Sequence, residues 1–294
     1  MSKVGYIGLG IMGRPCALNL LEAGHELTVN TRTATKAEEL LAGGASWADT
    51  PAGVAAGSEV VFLNLPDTPD VERVILGQDG IVSAEGFDGL IIDMSTIDPG
   101  RTAEIAADLA NRGIGFVDAP VSGGEKGAIE GNLSVMAGGS EADFARALPL
   151  LEVVGGRITH AGPAGAGQMV KACNQLLVGS NLMAIAEAMV LAERSGLVSP
   201  AVMRDAVTGG FADSRCLQVH GERMVNSTFR PGFKTALHAK DAGIVEKMAA
   251  ETGTPIRAFD VAREALDRLV GSGRGELDDS AVIEIVREEA EGNV

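Results

Sequence analysis

The stretch that most constrains this chain is its beginning, KVGYIGLGIMGR, from Lys3 to Arg14. A β-rich apolar run ends in three glycines spaced Gly8-x-Gly10-x-x-Gly13, and a helical pattern, RPCALNLLEAG, follows at once. Gly8 suits a tight turn off a strand. Gly10 lets the backbone come close to a pyrophosphate, and Gly13 lets the new helix lie against the strand it left. Ile11 and Met12 fall within that turn. Pro15 sits in the first helical turn, where a missing N–H costs little. The unpaired N–H groups of the helix start, together with its dipole, favour phosphate. The expectation is a dinucleotide-binding βα unit opening a doubly wound sheet.

The rest of the first half keeps that grammar. ELTVNT, EVVFLNL, GLIIDMS, GIGFVDA, LSVMAGG and RITHAG read as further strands, with helical segments such as ATKAEELLAGG and PGRTAEIAADLANRG between them. This alternation predicts βαβ units and a mostly parallel sheet. VVFL and LIID are continuous apolar runs, as strands covered on both faces should be. After Pro163 no strand pattern remains, and apolar residues recur at helical spacing between Gly stops and Ser or Asp starts. The predicted fold class is α/β: an N-terminal Rossmann-type doubly wound sheet over residues 1–162, then an all-α domain over 163–294. A long helix, Gly165 to Gly196, opens the second domain and joins it to the first. Its apolar centre, Leu176 to Ala192, holds Ser180, Asn181 and Glu187. At about 17 residues it is short for a bilayer span, so it reads as a buried core helix.

Charge narrows the choice of partner. The formal net charge is −16, and 17 of the 24 basic residues are arginine. Nucleic acid is excluded as a partner on this ground, since phosphate backbones require a basic face. Cys16, Cys173 and Cys216 are far apart, and His25, His160, His220 and His238 form no ligand pair, so neither a disulfide framework nor a metal site is expected. A strand begins almost at Met1, which leaves no room for a secretion signal; the expected location is the cytoplasm.

The second strand carries the choice between nicotinamide cofactors. An acid at its end would hold the ribose 2′-hydroxyl of NAD. Here the end reads Asn30-Thr31-Arg32-Thr33. A guanidinium pairs with a 2′-phosphate where a carboxylate would repel it. NADP(H) is therefore expected over NAD(H), with Asn30, Arg32 and Thr33 at the phosphate. In a doubly wound sheet the ligand crosses the carboxyl ends of the strands, so Leu65, Pro66 and Thr96 are placed beside it.

Four motifs in order, GYIGLGIMGRPCALNLLEAGH, DAPVSGGEKGAIEGNLSVMAGG, GAGQMVKACNQ and PGFKTALHAKDAGI, resemble the β-hydroxyacid dehydrogenases over essentially the whole chain. The resemblance implies substrate binding by Ser122, Gly123 and Gly124, catalysis by Lys171 with Asn174 as its companion, and Lys240 near the nicotinamide with Asp241 beside it. One departure is Thr31, where asparagine is common in relatives with an arginine next. The chemistry agrees. A carbonyl that accepts hydride develops charge on oxygen, which an ammonium stabilises and protonates. Helix positions three apart share a face, so Lys171 and Asn174 can point the same way. Ser-Gly-Gly offers a hydroxyl and accessible N–H groups to a carboxylate. Met12 and Phe233 are expected to pack. The implied partner is a small carboxylate substrate: tartronate semialdehyde first, then 3-hydroxyisobutyrate or another small acid semialdehyde. Apolar helical faces suggest a homodimer or homotetramer. The competing class is a dinucleotide-binding protein without turnover, which the full set of site residues disfavours.

Overall fold

The computed structural model describes residues 1–292 and divides into two compact units, Met1–Lys171 and the chain from Ala172 onward. In the first unit the strands are β1 (Lys3–Ile7), β2 (Glu26–Asn30), β3 (Ser46–Trp47), β4 (Val60–Leu63), β5 (Leu90–Asp93), β6 (Gly115–Asp118), β7 (Val121–Ser122), β8 (Leu133–Gly139) and β9 (Gly155–Gly162). The helices are α1 (Gly13–Glu22), α2 (Glu38–Ala42), α3 (Pro51–Ala56), α4 (Thr68–Leu76), α5 (Pro99–Ala110), α6 (Gly124–Ile129) and α7 (Glu141–Val154). α8 (Ala166–Ser195) starts here and runs on into the second unit.

The sheet order is β3-β2-β1-β4-β5-β6-β8-β7, with β9 on β8. From β3 to β6 all neighbours are parallel, the Rossmann order with its reversal between β1 and β4. β8 runs antiparallel to β6 and β7 and parallel to β9. Register and side-chain period together build two cores. Val29, Tyr6, Phe62, Ile92 and Val117 lie in one row across five strands and pack on one face, where the Tyr6 and Phe62 rings stack at 5.6 Å. Their chain neighbours Val61, Leu63, Ile91 and Phe116 pack on the other face. Continuous apolar strands are thus covered on both sides.

All seven strand runs expected from the pattern are present. β3 and β7 add two residues each, too short to show alternation. ATKAEELLAGG is not one helix but a 3₁₀ turn, Ala34–Ala37, followed by the short α2. A segment this short before Gly43 and Gly44 cannot offset the cost of helix nucleation, and its first turn tightens.

The second unit holds α9 (Pro200–Val207), α10 (Arg215–Asn226), α11 (Thr235–Thr252), α12 (Arg257–Gly271) and α13 (Val282–Ala290). Among the described residues it has no strand, only an isolated bridge between Lys234 and Asp278. α8 buries Leu182, Met183, Ala186, Met189 and Val190 in a core with Met224, Phe259, Leu266 and Ile283. By length and composition α8 could cross a membrane, yet half of its most apolar window is buried in the protein. α10 carries little apolar pattern, since its inward residues are only Leu217, Gly221 and Met224. α11 begins at Thr235, and the buried face of its first two turns includes the polar Thr235, His238 and Asp241.

Candidate active site

The carboxyl ends of five parallel strands finish in one row: Asn30, Ile7, Leu63, Asp93 and Asp118. The glycine turn leaves from the middle of that row. Gly8 has φ +102°, and a Cβ there would stand 2.2 Å from the Asn64 carbonyl oxygen. A Cβ on Gly13 would stand 2.0 Å from the Gly8 oxygen, so α1 can start this close to the turn only as glycine. Gly10 meets no atom within 4 Å and opens to the outside. Ile11 is partly exposed and Met12 packs against the core. No side chain caps α1 and no acid lies in its first turn. The turn therefore fits a dinucleotide pyrophosphate, with room at Gly10 and unpaired N–H groups at the helix start.

Around it, Asn30 is tied by its Nδ2 to the Ala48 carbonyl at 2.7 Å. Arg32 follows β2 directly, with its side chain 78% exposed and an ion pair to Asp70 at 3.7 Å. Asp70 also pairs with Arg73. Thr33 is exposed at the start of the 3₁₀ turn. The loops after β4 and β5 are stitched together, since Leu65 N–H donates to Ser95 Oγ at 2.9 Å. Pro66 and Thr96 are half-buried in those loops.

Lys171 lies in the second turn of α8 and is only 7% exposed. Its Nζ donates to the Val121 carbonyl at 2.9 Å, which puts the ammonium beside Ser122. Ser122 closes β7, paired with Ser134 of β8. Gly123 and Gly124 follow with φ +140° and +65° and are exposed, and a Cβ on Gly124 would meet nothing within 4 Å. The structure thus brings together the lysine and the Ser-Gly-Gly turn, which are 50 residues apart along the chain. Sequence reasoning missed what holds them. Gln168 Nε2 donates to the Ser95 carbonyl at 2.8 Å and its Oε1 accepts Ile97 N–H at 3.1 Å. Asp118, fully buried, accepts backbone N–H groups from the head of α8.

The second unit gathers a separate set. Asn174 is half-buried on α8. Asp241 is buried, accepts Gln175 Nε2 at 2.7 Å, and pairs through its other oxygen with Lys240 Nζ at 2.6 Å. Asp241 thereby ties α8 to α11 and steadies Lys240. Phe233 packs its ring against His238. A further cluster was invisible in the sequence: His220 Nδ1 and carboxylate oxygens of Asp278 and Asp279 all lie within 4.8 Å of one another. Asp278 also holds Arg223, Ser280 and the N–H of Gly232, while Asp279 accepts His238 at 2.8 Å. Burial opposes charge on His220, but the carboxylates of Asp278 at 3.6 Å and Asp279 at 3.4 Å outweigh it and raise its pKa. Burial likewise opposes charge on Asp278, yet His220, Ser280, Gly232 and Arg223 hold it well below the usual carboxylate range. The cations of this cluster are side chains of the protein itself.

Comparison with known proteins agrees with this architecture. Residues 3–162 match the NAD binding domain of 6-phosphogluconate dehydrogenase, and residues 165–286 match the NAD-binding family of NADP-dependent 3-hydroxyisobutyrate dehydrogenase. The chain is 44% identical over 282 residues to 2-hydroxy-3-oxopropionate reductase of Escherichia coli strain K12, covering 96% of both chains. It is 37% identical to 2-(hydroxymethyl)glutarate dehydrogenase of Eubacterium barkeri, over 96% of this chain and 94% of the relative. The solved 3-hydroxyisobutyrate dehydrogenase of Mycobacterium tuberculosis, in a structure with L-serine, gives a TM-score of 0.87 at 35% identity, over 98% of this chain and 99% of the other. The glycine turn, the buried lysine and these relatives lead to one conclusion: the chain belongs to the β-hydroxyacid dehydrogenase family, the NAD(P)-dependent oxidoreductases that act on the CH–OH group of β-hydroxyacids.

Proposed function

We propose that this chain is an NADPH-dependent reductase of tartronate semialdehyde, forming D-glycerate reversibly, with Lys171 as the proton donor. The observation that carries this reading is the buried Lys171 ammonium, fixed by the Val121 carbonyl next to Ser122. Ser122 Oγ and the N–H groups of Gly123 and Gly124 bind the substrate carboxylate, and Asn174 orients the reacting end. When bound, the reduced nicotinamide supplies the hydride. As the carbonyl carbon accepts it, the C=O electron pair moves to oxygen, and Lys171 Nζ first stabilises the alkoxide and then protonates it. The neutral amine regains its proton from solvent.

Gly8, Gly10, Ile11, Met12 and Gly13 cradle the pyrophosphate in this reading. Asn30, Arg32 and Thr33 face the ribose phosphate, Leu65, Pro66 and Thr96 line the adenine-ribose or nicotinamide side, and Lys240 contacts the cofactor. Supporting NADPH, no acid ends β2 and Arg32 stands there exposed. Supporting tartronate semialdehyde, the 2-hydroxy-3-oxopropionate reductase is 44% identical, against 35% for the solved 3-hydroxyisobutyrate dehydrogenase. The cofactor domain is taken as residues 1–162 and the substrate and oligomerisation domain as 163–294, in a cytoplasmic homodimer or homotetramer. The test is a panel of tartronate, methylmalonate and succinate semialdehydes, each with NADPH and NADH. Tartronate semialdehyde with NADPH gives the highest kcat/KM, and Lys171→Ala lowers kcat about 10²–10⁴-fold, the range of general acid catalysis. Native activity in Lys171→Ala would sink the mechanism.

A further inference from the structure

Two segments of the first unit meet at two places with the same spacing. Asp118 Oδ1 accepts the N–H of Gly165 at 2.8 Å, and its Oδ2 accepts the N–H of Gln168 at 2.9 Å. Three residues beyond Asp118, the Val121 carbonyl accepts Nζ of Lys171, which is itself three residues beyond Gln168. The strand-and-turn segment 118–122 and the head of α8 are therefore joined by two rungs, 118 to 168 and 121 to 171. The first rung is charge-assisted and grips both carboxylate oxygens, and a carboxylate at a helix start also gains from the helix dipole. The second rung is the lysine itself.

The surroundings show that the first rung is built in. Asp118 is fully buried. A Cβ on Gly167 would stand 2.7 Å from Asp118 Oδ2 and 2.3 Å from the Met136 carbonyl oxygen, so the helix reaches the carboxylate only because residue 167 is glycine. Burial raises the Asp118 pKa, while backbone N–H bonds from Gly165, Gln168 and Gly167 hold it back. The Gln168 side chain turns away from this contact to the loop of Ser95 and Ile97. Against the segment 118–122 the register of α8 therefore rests on the carboxylate, while Gln168 holds the same turn of α8 to the loop of Ser95 and Ile97.

We propose that Asp118 is a positioning residue: its carboxylate sets the register of α8 against the Val121–Gly124 turn and so aims Lys171 beside Ser122. The proposal rests on the reading of Lys171 as the reacting amine. A slip of one residue moves a helix by about 1.5 Å and turns it by about 100°, which would carry the ammonium off the Ser-Gly-Gly turn.

The test is the pH dependence of kcat in Asp118→Asn and Gln168→Met, with Lys171→Ala as reference. Asp118→Asn keeps one acceptor oxygen and sets an NH₂ against the other N–H. It is expected to bind NADPH normally, and to lose about 10–100-fold in kcat, as a misplacement of about 1 Å does. Its basic limb moves to lower pH, because a buried negative charge near the lysine is gone. Gln168→Met keeps its backbone N–H on Asp118, so its basic limb stays in place. A native kcat and limb in Asp118→Asn overturns the proposal, as does an equal shift of the limb in both variants. If Asp118→Asn fails to fold, amide exchange on the native protein decides: protected Gly165 and Gln168 amides support the clamp, and exchange as fast as unpaired first-turn amides refutes it. Native activity in Lys171→Ala would instead remove the lysine reading, and the exchange measurement would still report on the clamp.

Discussion

Arg32 is a cation with two claims on it. Asp70 holds it at 3.7 Å in the structure, and a 2′-phosphate is its proposed partner. The exposed ion pair is weak, of order 0–1 kcal/mol, while a hydrogen bond to a charged group is worth about 1.5–3 kcal/mol, so a 2′-phosphate bound as proposed would displace Asp70. Arg32→Ser is accordingly expected to raise KM for NADPH about tenfold or more and to leave KM for NADH unchanged, by the same energies. Steady-state kinetics with both cofactors checks this. Gly13→Ala acts by sterics alone. Its Cβ would lie 2.0 Å from the Gly8 oxygen, which is backbone and cannot swing aside. A cost of about 1–3 kcal/mol is expected, seen as a lower Tm together with weaker NADPH binding. Gly8, Gly10 and Gly13 were legible in the sequence because their constraint is local: the spacing alone states which backbone must come close to which. Asp118 was not legible, because its partners are 47 and 50 residues away and nothing in DAPVSGG says what its carboxylate will meet.

Elements differ in the same way. α8 was readable to within a residue at each end, since thirty residues of helical spacing between glycines leave little choice. α10 was not, because an inward glycine and a polar run hide its face. The ion cluster shows why such faces evade pattern reading: His220 and Arg223 on α10 meet Asp278, Asp279 and His238 through folding alone, and each is polar where a core pattern expects apolar residues. The cluster makes stability depend on pH from both sides. His220 has a raised pKa, so its contribution is full below the ordinary histidine value of 6.5 and fades as pH rises through the folded value. Asp278 has a lowered pKa, so its contribution is full above the ordinary aspartate value of 3.8 and is lost only in strong acid. The cluster is strongest between those two limits, and Tm should fall from pH 6 toward pH 9 more steeply in the native protein than in His220→Asn. Equal slopes in the two proteins would show that His220 carries no such linkage. Asp278→Ala, which strands Arg223 and His220, should cost about 3–5 kcal/mol in chemical denaturation, as breaking a buried ion pair does.

For the whole molecule, the order of strands and helices followed from the alternation of patterns, and the change to all-helical chain after Pro163 was equally plain. Assembly is less legible, since it depends on surface that only folding reveals. α8 buries one side in the core of the second unit and leaves Leu177 59% and Leu191 74% exposed on the other. Fourteen residues apart, they lie on the same side of the helix, with the exposed Ala184 midway between them. Such a stripe suits association with a second copy. Leu191→Glu is expected to lower the mass measured by light scattering while NADPH binding persists; an unchanged mass would place the interface elsewhere. A net charge of −16 favours solubility at neutral pH. The chain has a single tryptophan, Trp47, and β3 sets it next to Val29 at the end of β2, with its Nε1 on Asp49. Asn30 donates to the carbonyl of Ala48, the residue after Trp47, so the protein carries its own optical reporter close along the chain to the ribose end of the proposed cofactor site. Its emission can be followed during a titration with reduced cofactor, and binding becomes visible as quenching without any substrate, label or turnover.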